Sequence, residues 1–154
     1  IHMATSERDQ YGALDTIDLR GLERVVKEHS DVDFIMHGPG WWRCISTKVD
    51  PNASWYPTGR VEAPGRAVYL LEEYENIYGD LSAHSGYYAL ARDMDFAREF
   101  VRRLNHKLLY GTDLIESFDP EASHIRILEE LNLDGEAYEN IYHRNLERLI
   151  NLNA

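Results

Sequence analysis

The residues best suited to chemistry sit at the ends of apolar runs. Phe34-Ile35-Met36 leads directly into His37, followed by Gly38-Pro39-Gly40 and then Trp41-Trp42. A continuous apolar run closed by turn residues is the pattern of a strand buried on both faces of a parallel sheet. His37 then stands at the carboxyl end of that strand, where α/β proteins place their reactive groups. Lys107-Leu108-Leu109-Tyr110 runs the same way into Gly111-Thr112-Asp113, and Ile77-Tyr78-Gly79-Asp80-Leu81 runs into a polar, small-residue stretch with His84 just past it. Ile1-His2 reads either as the tail of a fourth strand or as a cloning remnant. Imidazoles converging with a carboxylate form a ligand set for Zn²⁺ or a similar ion. A water activated on such an ion, beside a histidine and an aspartate able to move protons, performs hydrolysis. No HExxH-type motif fixes that reading. The plainer alternative for His37 is a packed imidazole with its spare nitrogen on a carbonyl.

These tips need strands and helices to position them. Leu19, Leu22, Val25 and Val26 fall at helical spacing, with Asp18 as the expected N-cap. Further helices are expected over 65–74, 95–104 (capped by Asp93 or Asp95), 121–131 and 135–151. Ile141, Leu146, Leu149 and Ile150 supply the apolar face of the last. Between Trp41 and Pro64 the pattern gives a long loop with a short helix near Arg43. Its Trp41, Trp42, Trp55 and Tyr56 argue for a lid or pocket wall rather than disorder. Alternating helices and buried strands predict an α/β fold of parallel βα units in a single domain, 1–154.

Composition narrows the functions. The chain has 154 residues, 44% hydrophobic, and a formal net charge of -11. That charge argues against a nucleic-acid or anionic-membrane surface, each of which needs a basic patch. Cys44 is the single cysteine, so no intrachain disulfide forms and nothing indicates an oxidising compartment. No apolar run reaches the roughly 18 residues of a membrane span. A soluble, cytoplasmic protein acting on a small molecule is the expectation.

Several motifs occur in an order that resembles a known family. They are His2-Met-Ala-Thr-Ser, Gly21-Leu-Glu-Arg-Val-Val, Met36-His-Gly-Pro-Gly-Trp-Trp, Tyr56-Pro-Thr-Gly-Arg-Val, Tyr78-Gly-Asp-Leu-Ser-Ala, Ala89-Leu-Ala-Arg-Asp, Leu108-Leu-Tyr-Gly-Thr-Asp and Asn145-Leu-Glu-Arg-Leu. Together they resemble the C-terminal half of an amidohydrolase-superfamily enzyme of the amidohydrolase-related (amidohydrolase-2) type, a group that also holds non-oxidative decarboxylases. The resemblance implies strands five to eight of a (β/α)8 TIM barrel. It implies His2, His37 and Asp113 as metal ligands, Zn or Mn as the cofactor, and His37 and Asp113 as the groups that activate water and shuttle the proton. The family's first-strand His-x-His pair is absent from the chain, and His84 stands where a small residue is usual.

On this reading the loop after His37 hangs over the barrel mouth. Trp41, Trp42 and Tyr56 then pack against an organic substrate, with His84 as a further contact. Arg43, Arg60 and Arg92 are candidates for gripping a carboxylate, unless they pair with the chain's surplus acids. His29, His106, His124 and His143 read as structural or solvent-facing. The expected function is metal-dependent hydrolysis of a small organic substrate. The alternatives are non-oxidative decarboxylation of a small or aromatic acid at the same site, or a half-barrel that acts as an interaction module. A half-barrel leaves its outer strands unpaired, so a homo-oligomer or a complementary barrel half is the expected partner.

Overall fold

A computed structural model describes residues 1–5, 11–49, 55–113 and 120–150. The architecture is α/β. Three parallel strands, β1 (Phe34–Met36), β2 (Ile77–Asp80) and β3 (Leu108–Leu109), lie side by side in chain order. Met36 pairs with Gly79, and Gly79 with Leu108. Helices α1 (Arg20–Glu28), α3 (Arg66–Glu73) and α5 (Met94–Leu104) precede the three strands in turn. Each helix–strand step is thus the right size for a parallel crossover. Among the described residues no helix is long and apolar enough to cross a membrane.

The strands alternate between two environments. Phe34, Met36, Ile77 and Gly79 are buried against the helices, whereas Ile35, Tyr78 and Asp80 are half-buried on the other face. The period of two places His37 on that second face, level with Asp80. The helical side is filled by Val26, Trp41, Ile45, Val68, Leu71, Val101 and Phe100, each 1% exposed or less. Burying one such aliphatic or Phe side chain is worth ~1.5–3 kcal/mol.

The expected helices at 65–74, 95–104 and 121–131 are present as α3, α5 and α6 (Pro120–Glu130). Asp93 caps α5 by accepting from Phe96 N at 3.2 Å. Helix α1 departs from expectation at its start. Asp18 does not cap it; Asp15 instead accepts from Gly21 N at 3.2 Å and Leu22 N at 2.7 Å. Asp15 reaches in from upstream because Leu19, at the cap position, is left-handed (φ 51°) and carries no side-chain acceptor.

The short helix expected near Arg43 is present but starts earlier, and a second stretch, read as a loop, is helical. Pro39–Trp42 forms a short helix, α2, continued by a 3-10 turn over Arg43–Ile45, and all seven residues are buried. The excursion that follows is tied at its base by Ser46 pairing with Pro64 and by Thr47 N donating to Ala63 O at 3.1 Å. The stretch after β2 is helix α4 (Ala83–Ala91), so His84 lies in its first turn.

The C-terminal helix runs as α7 (Gly135–Glu139), a π turn (Asn140–Arg144) and α8 (Asn145–Leu149). Its inward side is Ala137, Ile141 and the buried Asn145, while Leu146 and Ile150 are about half exposed. The expected apolar face is therefore turned outward at those two positions. The wider π turn shifts the register of the helix face by one residue. The expected final residue of that helix, Asn151, lies outside the described residues.

The outer strands are not bare. Ile1–Met3 lies parallel to the end of β1 through a His2–His37 bridge, with Met3 N donating to His37 O at 2.7 Å. Ala13 then pairs beyond it, donating to His2 O at 2.8 Å and accepting from Ala4 N at 2.9 Å. At the far edge, Tyr110 N donates to Ile141 O at 2.9 Å and Asn145 Nδ2 to Leu108 O at 2.7 Å. The unpaired edges expected of a half-barrel are capped by the chain's own turn and last helix.

Candidate functional site

His37 is held at the carboxyl end of β1 by backbone bonds on both sides: its amide donates to Ile1 O at 2.9 Å and its carbonyl accepts from Met3 N. Its ring is 15% exposed and lies between two carboxylates. Nδ1 is 3.3 Å from Asp80 Oδ2, and Nε2 is 3.4 Å from Asp113 Oδ2. Ser82 Oγ lies 3.2 Å from Nδ1 and donates its own proton to Asp80 Oδ2 at 2.9 Å. Because the Ser82 proton is committed to Asp80, Nδ1 faces two acceptors, and the proton of the neutral ring is assigned to Nδ1. Nε2 then presents its lone pair toward Asp113, an arrangement that calls for a proton or a cation between them.

Asp80 is kept as the anion. Burial raises its carboxyl pKa, but hydrogen bonds from His37 and from the amide and hydroxyl of Ser82 outweigh burial and hold it below 3.8. The Ser82 amide contact is 2.8 Å. The position of Asp80 is also braced from below, where Trp42 Nε1 donates to its carbonyl at 2.8 Å.

The expected ligand trio comes together at one end of the sheet. The His2 ring is 5.2 Å from the His37 ring, centroid to centroid, and 4.7 Å from that of Tyr11. Asp113 follows β3 in a left-handed conformation (φ 45°) with its side chain 55% exposed. Two ligands of one tetrahedral ion, each ~2.0–2.1 Å from it, lie about 3.4 Å apart. The His37 Nε2–Asp113 Oδ2 separation fits two ligands of such an ion, with Asp80 as the carboxylate that orients the histidine from behind. Among the described residues, however, no group of three His, Cys, Asp or Glu side chains is arranged to hold a metal. The pair fits; the trio does not close around an ion.

The substrate contacts expected from sequence divide. Trp41 is fully buried and Trp42 is 2% exposed, both within the core. They do not form the expected lid, because α2 turns the indoles inward, where Trp42 packs across Gly79. Tyr56 and His84 do meet, with ring centroids 5.9 Å apart, and both stack near Tyr88. His84 belongs to this aromatic group on α4; Ser82, not His84, is the hydroxyl-bearing tip beside His37. Arg43 is 8% exposed and lines a crevice with Trp42, Tyr56, Ser85 and Arg92.

Asp80 and Ser82 were not among the residues singled out from sequence. The available signal was a carboxylate ending β2, two residues ahead of a serine able to close an Asx-type turn. What hid it was the apolar Leu81 between them, which makes the strand read as continuing. No protein-family model, curated protein or solved structure matches the chain.

Proposed function

We propose that the chain carries the catalytic strand ends of a metal-dependent hydrolase of the amidohydrolase type, corresponding to strands five to eight of a (β/α)8 barrel. The observation that supports this most directly is the placement of His37 between Asp113 and the Asp80–Ser82 pair. Parallel neighbours in chain order, each ending in a polar tip on one side, are also what such a barrel segment requires.

In this reading His37 Nε2 and Asp113 would hold a divalent ion, Zn or Mn. The ion, when bound, supplies Lewis-acid polarisation and a lowered pKa for water. Asp80 and Ser82 fix the His37 tautomer and ring angle, so that Nε2 is always the nitrogen presented. Asp113, the more exposed carboxylate, accepts the proton released at the reacting centre and returns it to the leaving group. The same residues serve non-oxidative decarboxylation if the substrate's acid group lies at the centre itself. The partner in this reading is a second copy or a complementary barrel half.

The test is zinc and manganese content together with solution mass, measured on the purified chain and on its His37→Ala and Asp113→Ala variants. The proposal requires metal in the wild type, its loss in both variants, and loss of hydrolysis of small amide and ester substrates with the circular dichroism retained. Equal metal content in all three proteins, or none at saturating zinc, overturns it. Metal bound only in a dimer or larger assembly places the remaining donors on the partner copy.

A further inference from the structure

Beside the His37 centre, a crevice runs between α2, the Arg43–Ile45 turn and α4, and the Trp55–Pro57 segment closes it. Among the described residues, its ten lining side chains include two arginines and no carboxylate, in a chain with 27 acidic residues. Arg43 and Ser85 are 8% and 4% exposed. Arg43 Nε and Ser85 Oγ are buried with no hydrogen-bond partner among the described residues. A buried guanidinium N–H and a buried hydroxyl that both lack a partner are costly to leave unpaired. A bound anion offsets both.

The walls are built and held. Arg92 Nε donates to Gly59 O at 2.9 Å, and Asp93 Oδ2 accepts from Val61 N at 2.9 Å, pinning the loop over the crevice. The empty volume of about 210 Å³ includes the solvent-open mouth, so the closed part seats one small polar group rather than a whole molecule. Trp42, Tyr56 and Tyr88 give it aromatic sides. Tyr56 stacks on Tyr88 along the crevice, with ring centroids 5.3 Å apart.

We propose that the Arg43–Ser85 crevice is a carboxylate subsite, which takes the acid group of a small organic acid. Arg43 Nε and Ser85 Oγ donate to the carboxylate oxygens, and the rest of the molecule extends past Tyr56 toward His37 and Asp113. A guanidinium paired with a hydroxyl matches the two oxygens of a carboxylate better than a lone lysine would. As a substrate subsite this rests on the hydrolase reading above; as a carboxylate site it stands without it. It also separates the two chemistries of that reading. An acid group held in the crevice is a handle and lies away from the centre, which favours hydrolysis elsewhere in the molecule over loss of that carboxylate.

The experiment is a calorimetric titration of the metal-free chain with sodium benzoate, and with benzamide as the uncharged isostere. Saturable benzoate binding, at least tenfold weaker benzamide binding, and a loss of about tenfold or more in Ser85→Ala and Arg43→Gln are expected. Arg43→Lys recovers only part of the affinity. Arg144→Gln, on the C-terminal helix away from the crevice, binds benzoate like the wild type. Should Arg43→Gln fail to fold by circular dichroism, Ser85→Ala alone decides. No saturable benzoate binding, equal binding of benzamide, wild-type affinity in Ser85→Ala, or loss of binding in Arg144→Gln each overturns the assignment. Benzoate binding in a protein that fails the metal test leaves the subsite standing and removes the hydrolase reading.

Discussion

His37 Nδ1 and Asp80 Oδ2 lie 3.3 Å apart on neighbouring strands. The contact follows from register: Met36 pairs with Gly79, so the next residue of each strand falls level on the opposite face. The imidazole is oriented by the sheet itself and not by a loop.

Asp80→Asn therefore removes the charge that fixes the His37 tautomer while leaving the backbone in place. On the proposed metal reading, metal affinity and any metal-dependent turnover should fall about 10–100-fold, the usual effect of losing a carboxylate that orients a ligating histidine. The variant also carries a pH signature. The Asp80 carboxyl pKa lies below its ordinary value in the folded chain: burial raises it, and the His37 and Ser82 hydrogen bonds outweigh burial. Its stabilising contribution is complete above the unfolded value of about 3.9 and is lost as pH falls through the folded value. Urea unfolding should show a wild-type advantage that is constant above about pH 5 and shrinks below about pH 4. An advantage independent of pH would mean that the carboxylate's charge does not matter.

Gly40→Ala tests the pairing that brings His2 to the site. A Cβ there would stand 2.1 Å from Ala4 O, a backbone atom, so α2 and the N-terminal segment must separate. A loss of about 1–3 kcal/mol is expected, together with faster hydrogen exchange at the Met3 and His37 amides.

Cys44 is buried, and burial raises its thiol pKa to about 11. A thiol in that state is inert to alkylation. At pH 8 iodoacetamide should label it only through unfolding, so the labelling rate should rise with urea in step with the loss of circular dichroism. Rapid labelling of the native chain would contradict this packing.

Asn76 stands just before β2 and ties it to the end of α1 and the turn after it. Its Nδ2 lies 3.1, 3.0 and 2.9 Å from the carbonyls of Val26, His29 and Val32. Asn76→Ala leaves these carbonyls short of a donor in a site only 8% exposed. A cost of about 1–3 kcal/mol is expected, read as a lowered urea midpoint with an unchanged slope.

The parts of this protein that sequence shows most clearly are those where local pattern and tertiary role agree. The runs before His37 and Asp113 are apolar because they are buried, and they end in turns because the sheet ends there. The tryptophans mislead because an aromatic after Gly-Pro-Gly suits a lid as well as a core; Pro39 at the first helical position decides it by starting α2. Helix α4 is concealed for the opposite reason. Its first turn, Ala83-His84-Ser85-Gly86, is small and polar like a loop, and a Cβ at Gly86 would collide with Leu81 O. Small residues there reflect close packing against the end of β2. Asp80 and Ser82 depend on inter-strand register, which no stretch of one strand encodes.

Both rims of the sheet are closed by the chain's own groups, Ala13 on one side and Ile141 with Asn145 on the other. Any foreign strand, such as one from another copy, must wait for one of those closures to open. Assembly through the sheet is then gated by a first-order step within each molecule. Its observed rate should level off as partner concentration rises, and the plateau should report how often the rim unlatches rather than how often molecules collide.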